Sequence, residues 1–301
     1  MKLASFDQGR IGVVEGDRIV DVTDVALEQP QTWPPVGMVQ LIAQWPLRRA
    51  AIEAAAHERA SLPLSDVRLE APVQWPNKVI AFPANYHAHI DEMKHGTNGG
   101  VVSKFQASGQ GFFLKANSSL SGPADAIVLP PLEGREIHHE CELGIIVGKR
   151  GRAISREQSR DYVFGFTCLL DMVVRGKEER VMRKSFDTFC PTGPWITTAD
   201  EVADFADISM RLFVNGEERQ AATTRDLIVD IPEMIAMSSA VTTLEPGDII
   251  ATGTPAGVGP VRDGDVLEIV IDGVGSMRLP VVQGTLGRHP VWDASKAGLA
   301  V

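Results

Sequence analysis

Apolar positions recur in two rhythms along this chain, one of period two and one of period three to four. Up to about residue 24, the short alternating runs "KLASF", "RIGVVEG" and "RIVDVTD" predict three strands separated by turns. "MVQLIAQWPLRRAAIEAAAHERA" then places apolar residues at helical spacing, with Pro46 expected to interrupt the helix. The proline-punctuated "SLPLSDVRLEAPVQWPNKVIAF" sets a boundary near residue 70. It separates a small α+β N-terminal unit, residues 1–70, from a second unit, residues 71–301. Strand patterns dominate beyond it: "KVIAF", "GFFLK", "AIVLP", "CELGIIVG", "YVFGFTCLLD", "RLFVNG", "DIIATG" and "DVLEIVIDGVGSMRLPVV". Two helices are expected among them, "SREQSRDYV" opened by Ser155 as N-cap, and "DIPEMIAMSSAV". The Gly/Ser/Asn-rich stretch between His95 and Gly111 reads as a mobile loop. The chain is therefore mainly β with an α+β N-terminal unit, closer to a sandwich or rolled barrel than to a doubly wound sheet.

Composition narrows the partners. With 301 residues, 44% of them hydrophobic and 23% charged, the chain has an ordinary globular make-up. A net charge of -10 argues against nucleic acid or an anionic membrane as a partner. Cys141, Cys168 and Cys190 are odd in number and form no CxxC pair, which disfavours a disulfide framework or a thiolate zinc site. The opening residues lack a signal-like apolar stretch and no run is long enough to span a bilayer, so the expected location is the cytoplasm.

The chemistry concentrates in "EIHHECELGIIVG", residues 136–148, where two acids precede a strand. Residues i and i+2 of a strand share a face, so Glu140 and Glu142 project together while Cys141 points away. Two adjacent carboxylates need a positive partner, and an all-oxygen set selects magnesium, manganese or calcium over zinc. On their own, two glutamates are better read as solvated side chains at an exposed strand end. Asp171, closing the apolar "YVFGFTCLLD", adds a third carboxylate for a site with open positions, although an isolated acid there also suits a cap. Lys184, in "RKSFDTFCPTGPW", offers an ammonium to an anionic substrate or a carbonyl, or else is a surface lysine beside Arg183. In "ANYHAHIDEM", His89 and Glu92 are three apart, so a helix would let Glu92 orient His89 as a general base. "EPGDIIATGTPAGVG" lacks the ending of a phosphate loop; Thr252 and Thr254 offer hydroxyls to a carboxylate, or sit in a plain turn.

Together, "NYHAHIDEM", "FFLKANSSLSGP", "HHECELGIIVG", "GFTCLLD", "KSFDTFCPTGPW", "VNGEERQ" and "LEPGDIIATGTPAGVG" resemble, in order, the blocks of the fumarylacetoacetate hydrolase family. The resemblance spans about residues 79–280. It implies a mixed β-sandwich roll, usually homodimeric, that uses magnesium or manganese. It implies Glu140, Glu142 and Asp171 as metal ligands, Lys184 as the active-site lysine, and His89 with Glu92 as the pair that activates water. Thr254 falls in a loop that contacts substrate, and Lys115 matches a recurring lysine. The sequence departs from the family after Asp171, where members often read Asp-x-Ser-x-Arg-Asp-x-Gln and this chain reads "DMVVRGKE". Arg175 is kept, whereas Val173, Gly176 and Glu178 replace polar residues. Glu178 stands at a substrate-binding position, where its charge disfavours a second substrate carboxylate unless a cation lies between them. The stretch from Lys94 to Gln110 also looks longer than in compact members, which implies a remodelled lid. The implied activity is hydrolysis of a C–C bond in an acylpyruvate-type β-diketo acid, fumarylpyruvate-like, in the catabolism of aromatic or related compounds. Decarboxylation, isomerisation or hydration of a small oxo acid through the same metal enolate is the alternative, and a catalytically impaired metal- or carboxylate-binding protein is a further one.

Overall fold

The computed structural model describes residues 1–29, 32–95, 107–287 and 289–292. The first alternating runs form β1 (Lys2–Phe6), β2 (Arg10–Glu15) and β3 (Arg18–Asp21), followed by the single turn α1 (Thr23–Ala26). The helical rhythm splits into α2 (Gly37–Ala43) and α3 (Trp45–Glu58). Pro46 lies in the first turn of α3, where its missing N–H leaves no bond unmade. Then come β4 (Ser61–Pro63), β5 (Val79–Ala81), α4 (His87–His95), α5 (Ala107–Gln110), β6 (Phe113–Lys115), β7 (Leu120–Ser121), β8 (Ile127–Leu129), β9 (Ile137–His139) and β10 (Cys141–Val147). The second half contains β11 (Val163–Leu170), β12 (Val173–Val174), α6 (Arg180–Arg183), β13 (Cys190–Thr198), β14 (Ser209–Val214) and β15 (Glu217–Thr223). It closes with α7 (Ile231–Val241), β16 (Ile249–Ala251), β17 (Gly259–Pro260), β18 (Val266–Ile271) and β19 (Gly275–Gln283).

One predicted helix is not formed. "SREQSRDYV" folds as turns leading into a 3-10 helix, Ser159–Tyr162. Between Arg156 and Asp161 it has no apolar residue to bury, and its amide bonds reach back only three residues, Gln158 to Ser155 and Ser159 to Arg156. The helix over "DIPEMIAMSSAV" is present as α7, capped by the Asp230 side chain.

The strands assemble into an 11-stranded sheet whose main path runs β4-β3-β2-β1-β13-β11-β10-β16-β5-β6, with β7 beside β13. A five-stranded sheet, β15-β14-β18-β19-β8, and a small one, β12-β9-β17, complete the mainly β fold. The large sheet has two buried faces. On one, Leu143, Ile145, Phe166 and Cys168 pack with Leu212, Ile269, Met277 and Leu279 of the five-stranded sheet. On the other, Ile146, Leu169 and Ala251 pack with Leu41, Ile42 and Ile52 of α2 and α3. The sheet also runs across residue 70: β1 pairs with β13 in the register Lys2↔Thr197 and Leu3↔Ile196.

Candidate active site

The alternation of β10 decides where its acids go. Cys141, Leu143, Ile145 and Val147 turn into the sandwich core, so Glu142 shares the opposite face with Ile146. Glu142 stands across from Leu169, and the Asp171 amide donates to the Glu140 carbonyl at 2.9 Å, which brings the ends of β10 and β11 together. Ligand oxygens of Glu140, Glu142 and Asp171 consequently lie within 4.8 Å of one another, all three residues buried.

Such a cluster persists only if its charge is answered. Lys184 Nζ donates to Glu140 at 2.7 Å and to Asp171 at 2.5 Å. Lys115 Nζ donates to the other Asp171 oxygen, and to the carbonyls of Lys184 (2.6 Å) and Phe189 (3.2 Å). Burial works against ionisation of Glu140, but Lys184 and Arg175 win and hold its carboxyl well below the usual range. Glu142 fares differently: burial, then Asp171, push its carboxyl well above the usual range, with the Gly253 amide (2.7 Å) as its hydrogen-bond donor. An under-compensated carboxylate in a buried all-oxygen set fits a hard divalent cation. Burial would lower the Lys184 ammonium, yet Asp171, Glu140 and Glu142 together raise it.

A glycine loop ties this cluster to the histidine. His89 and Glu92 do share a face of α4, with His89 Nδ1 3.1 Å from a Glu92 oxygen and the other oxygen accepting from the Gly257 amide at 3.1 Å. Burial opposes charge on Glu92, but these bonds hold its carboxyl below the usual range. Gly253 and Gly257 both have positive φ, +91° and +94°. A Cβ on Gly253 would lie 2.7 Å from that of Asn85, and one on Gly257 only 1.8 Å from the Arg219 carbonyl, so other side chains are excluded from both positions. Asn85, fully buried, pins the same loop: its amide donates to the carbonyls of Thr252 and Val229, and its oxygen accepts from the Val229 amide.

Thr254 is buried, and its hydroxyl accepts from Gln220 Nε2 at 2.8 Å, which leaves its own hydrogen free to donate. Thr252 instead serves the backbone, its hydroxyl accepting from the Leu143 amide. Gln220 also accepts from the Cys141 amide and from His139 Nδ1. It thus joins β15, the root of β10 and the threonine loop. Neither Asn85 nor Gln220 stood out as a site residue in the sequence; the one available signal was that each lies inside a family-like block.

The departures after Asp171 prove to be coupled. Glu178 is not a free charge: Arg135 grips it with two bonds, 2.9 and 2.6 Å. This fork holds its carboxyl below the usual range. A Cβ on residue 176 would fall 1.7 Å from the Arg135 guanidinium, so Gly176 clears the space that the bridge needs. Val173 is buried and paired with His138 of β9. Arg175 donates Nε to His138 Nδ1 at 3.0 Å. The predicted mobile loop and lid lie largely at 96–106, outside the described residues.

The fold and the site define a metal-binding hydrolase-type roll, and the comparisons agree. A family profile described as Fumarylacetoacetate (FAA) hydrolase C-terminal matches residues 78–282. Maleylpyruvate hydrolase of Aquipseudomonas alcaligenes is 42% identical over 285 residues, covering 93% of this chain and 99% of the relative. The crystal structure of maleylpyruvate hydrolase from Sphingobium sp. SYK-6 in complex with manganese(II) ion and pyruvate superposes with a TM-score of 0.85 at 56% identity, covering 95% of this chain and all of that one. A probable 2-hydroxyhepta-2,4-diene-1,7-dioate isomerase from Mycobacterium abscessus follows at 0.77 and 30% identity, over 95% and 99%. The chain belongs to the fumarylacetoacetate hydrolase family.

Proposed function

We propose that this protein is a divalent-metal-dependent hydrolase that cleaves the C–C bond of an acylpyruvate, in the catabolism of aromatic compounds. The observation that carries the reading is the loop Thr252–Gly257, which binds a metal-site acid through Gly253 and the water-activating pair through Gly257. The manganese and pyruvate bound by the Sphingobium relative support the same chemistry. Glu140, Glu142 and Asp171 hold the cation, manganese or magnesium, with calcium also suited to the oxygen set. When bound, the cation supplies Lewis-acid stabilisation to the charge that builds on the departing pyruvate unit.

The chain's own residues do the rest. Glu92 accepts a hydrogen bond from the Nδ1–H of His89 and leaves Nε2 as the base that takes a proton from water attacking the acyl carbonyl. That proton passes to the methylene carbon as the C–C bond breaks, giving a carboxylate and pyruvate. Lys184 has two N–H groups on Glu140 and Asp171 and keeps a third for developing oxyanion charge. Thr254, oriented by Gln220, donates its hydroxyl hydrogen to the substrate carboxylate. Lys115 sets the charge of Asp171 from behind.

Residues 71–301 form the catalytic unit in this reading and residues 1–70 a supporting one, because every site residue lies beyond the start of the family match at residue 78. Free thiols at Cys141, Cys168 and Cys190 support a cytoplasmic setting, and the family resemblance supports a homodimer. No helix among the described residues is long and apolar enough to cross a membrane. The test is a manganese-loaded panel of acetylpyruvate, fumarylpyruvate and oxaloacetate. Loss of enol absorbance with stoichiometric pyruvate and carboxylic acid from the acylpyruvates is expected. Tautomerisation or carbon dioxide release from oxaloacetate, with the acylpyruvates intact, would replace the hydrolase reading.

A further inference from the structure

Helix α6 reverses the usual burial rule. Val181 and Met182 are each 43% exposed, while Arg180 and Arg183, three apart and so on one face, are half-buried. Arg180 donates to Gln110 at 2.9 Å, and its guanidinium lies 5.3 Å from the centre of the Phe113 ring. Lys184 Nζ lies 5.8 Å from that same centre. Along β6, Phe113 and Lys115 share a face while Leu114 is exposed, so the ring stands on the side from which Lys115 reaches Asp171. Phe113 therefore seats Arg180 beside the active-site lysine. Behind it, Arg183 donates to the carbonyls of Glu178 and Val174.

The buried and half-buried acids nearby are already taken, and Glu179, next to Arg180, faces solvent. Glu178 belongs to Arg135, Glu140 and Asp171 to the lysines, and Glu142 to the Gly253 amide. Among the described residues, no carboxylate lies within ion-pair distance of Arg175, Arg180 or Arg183. Burial presses the Arg180 and Arg183 guanidiniums below their ordinary range, and for Arg183 the neighbouring arginines add to it. Half-burying cations with only neutral partners is unfavourable unless a ligand brings the missing charge. The Arg135 fork neutralises Glu178, one of the negative charges that would oppose such a ligand.

We propose that Arg180, backed by Arg183, binds a carboxylate at the acyl end of the substrate, so that the enzyme selects acylpyruvates whose acyl group itself ends in a carboxylate. This rests on the acylpyruvate reading above and narrows it: Thr254 serves the pyruvate carboxylate and Arg180 the acyl one.

The experiment compares succinylpyruvate with its terminal carboxamide, on the manganese-loaded wild type and on Arg180→Gln and Arg180→Lys. Wild type prefers the carboxylate, and Arg180→Gln lowers the ratio of the two kcat/KM values by roughly 10- to 100-fold, the worth of a charge-assisted hydrogen bond. Arg180→Lys restores part of the ratio. An unchanged ratio in Arg180→Gln overturns the proposal even if overall activity drops. If wild type cleaves neither compound, the acylpyruvate reading falls separately. Calorimetric binding of the same pair then decides: a carboxylate preference lost in Arg180→Gln sustains the arginine site, and equal binding of both compounds overturns it.

Discussion

The strand ends of β10 and β11 and the short helix α6 both bury charge, but they treat it in opposite ways. At the strand ends, Glu140 and Asp171 each meet an ammonium group, and the set is short of positive charge only at Glu142. In α6, two guanidiniums sit half-buried with only neutral partners, an amide side chain and backbone carbonyls. A nearly balanced cluster suits a resident cation that completes it once. An unbalanced one suits a ligand that comes and goes with its own charge. The Arg135–Glu178 fork neutralises an acid close to α6 in sequence, while Glu140 and Asp171 still act on Arg180 through space.

The comparison breaks most sharply at its under-compensated acid. Glu142→Gln should abolish manganese binding by calorimetry and lower kcat/KM by at least ~10³-fold. Arg135→Met comes next, because it releases Glu178 toward the arginines. Denaturant titration should show a loss of about 1–3 kcal/mol, and discrimination in favour of a carboxylate-ended acyl group should fall several-fold. The smallest effect concerns pH. His139 is buried, and burial lowers its imidazole to about 4 from the ordinary 6.5. Between those values the unfolded chain takes up a proton that the folded chain refuses, so stability is complete above pH 6.5 and declines as pH falls toward 4. By pH 5.0 the decline attributable to His139 is on the order of 2 kcal/mol. Denaturant midpoints at pH 7.5 and 5.0 should show a smaller difference in His139→Gln than in wild type.

The pairings legible in the sequence were those whose geometry is set by a single element, whereas Asp171, Lys184, Lys115 and Thr254 were named as candidates without their contacts. Strand alternation put Glu140 and Glu142 on one face, and helical spacing paired His89 with Glu92. What depended on remote contacts was not legible. Asn85 meets Val229 and Thr252, Gln220 meets His139 and Thr254, and Arg135 meets Glu178, across 34 to 167 positions of chain. Fold elements divide in the same way. Strand β13 carries Pro191 and Pro194, residues that argue against a central strand, yet it lies between β1 and β11. The ladder to β11 slips between Phe166 and Cys168, opposite Pro194, and absorbs the missing donor. Strand β15 is too polar to announce itself, because five of its seven residues are Glu, Arg, Gln or Thr.

The central claim is that the His89–Glu92 pair activates water beside a metal held by Glu140, Glu142 and Asp171. The most direct measurement pairs manganese calorimetry with single-turnover pyruvate release in His89→Ala. Manganese binding close to that of wild type is expected, with hydrolysis of the acylpyruvate lost. Turnover near the wild-type rate in that variant would contradict that claim.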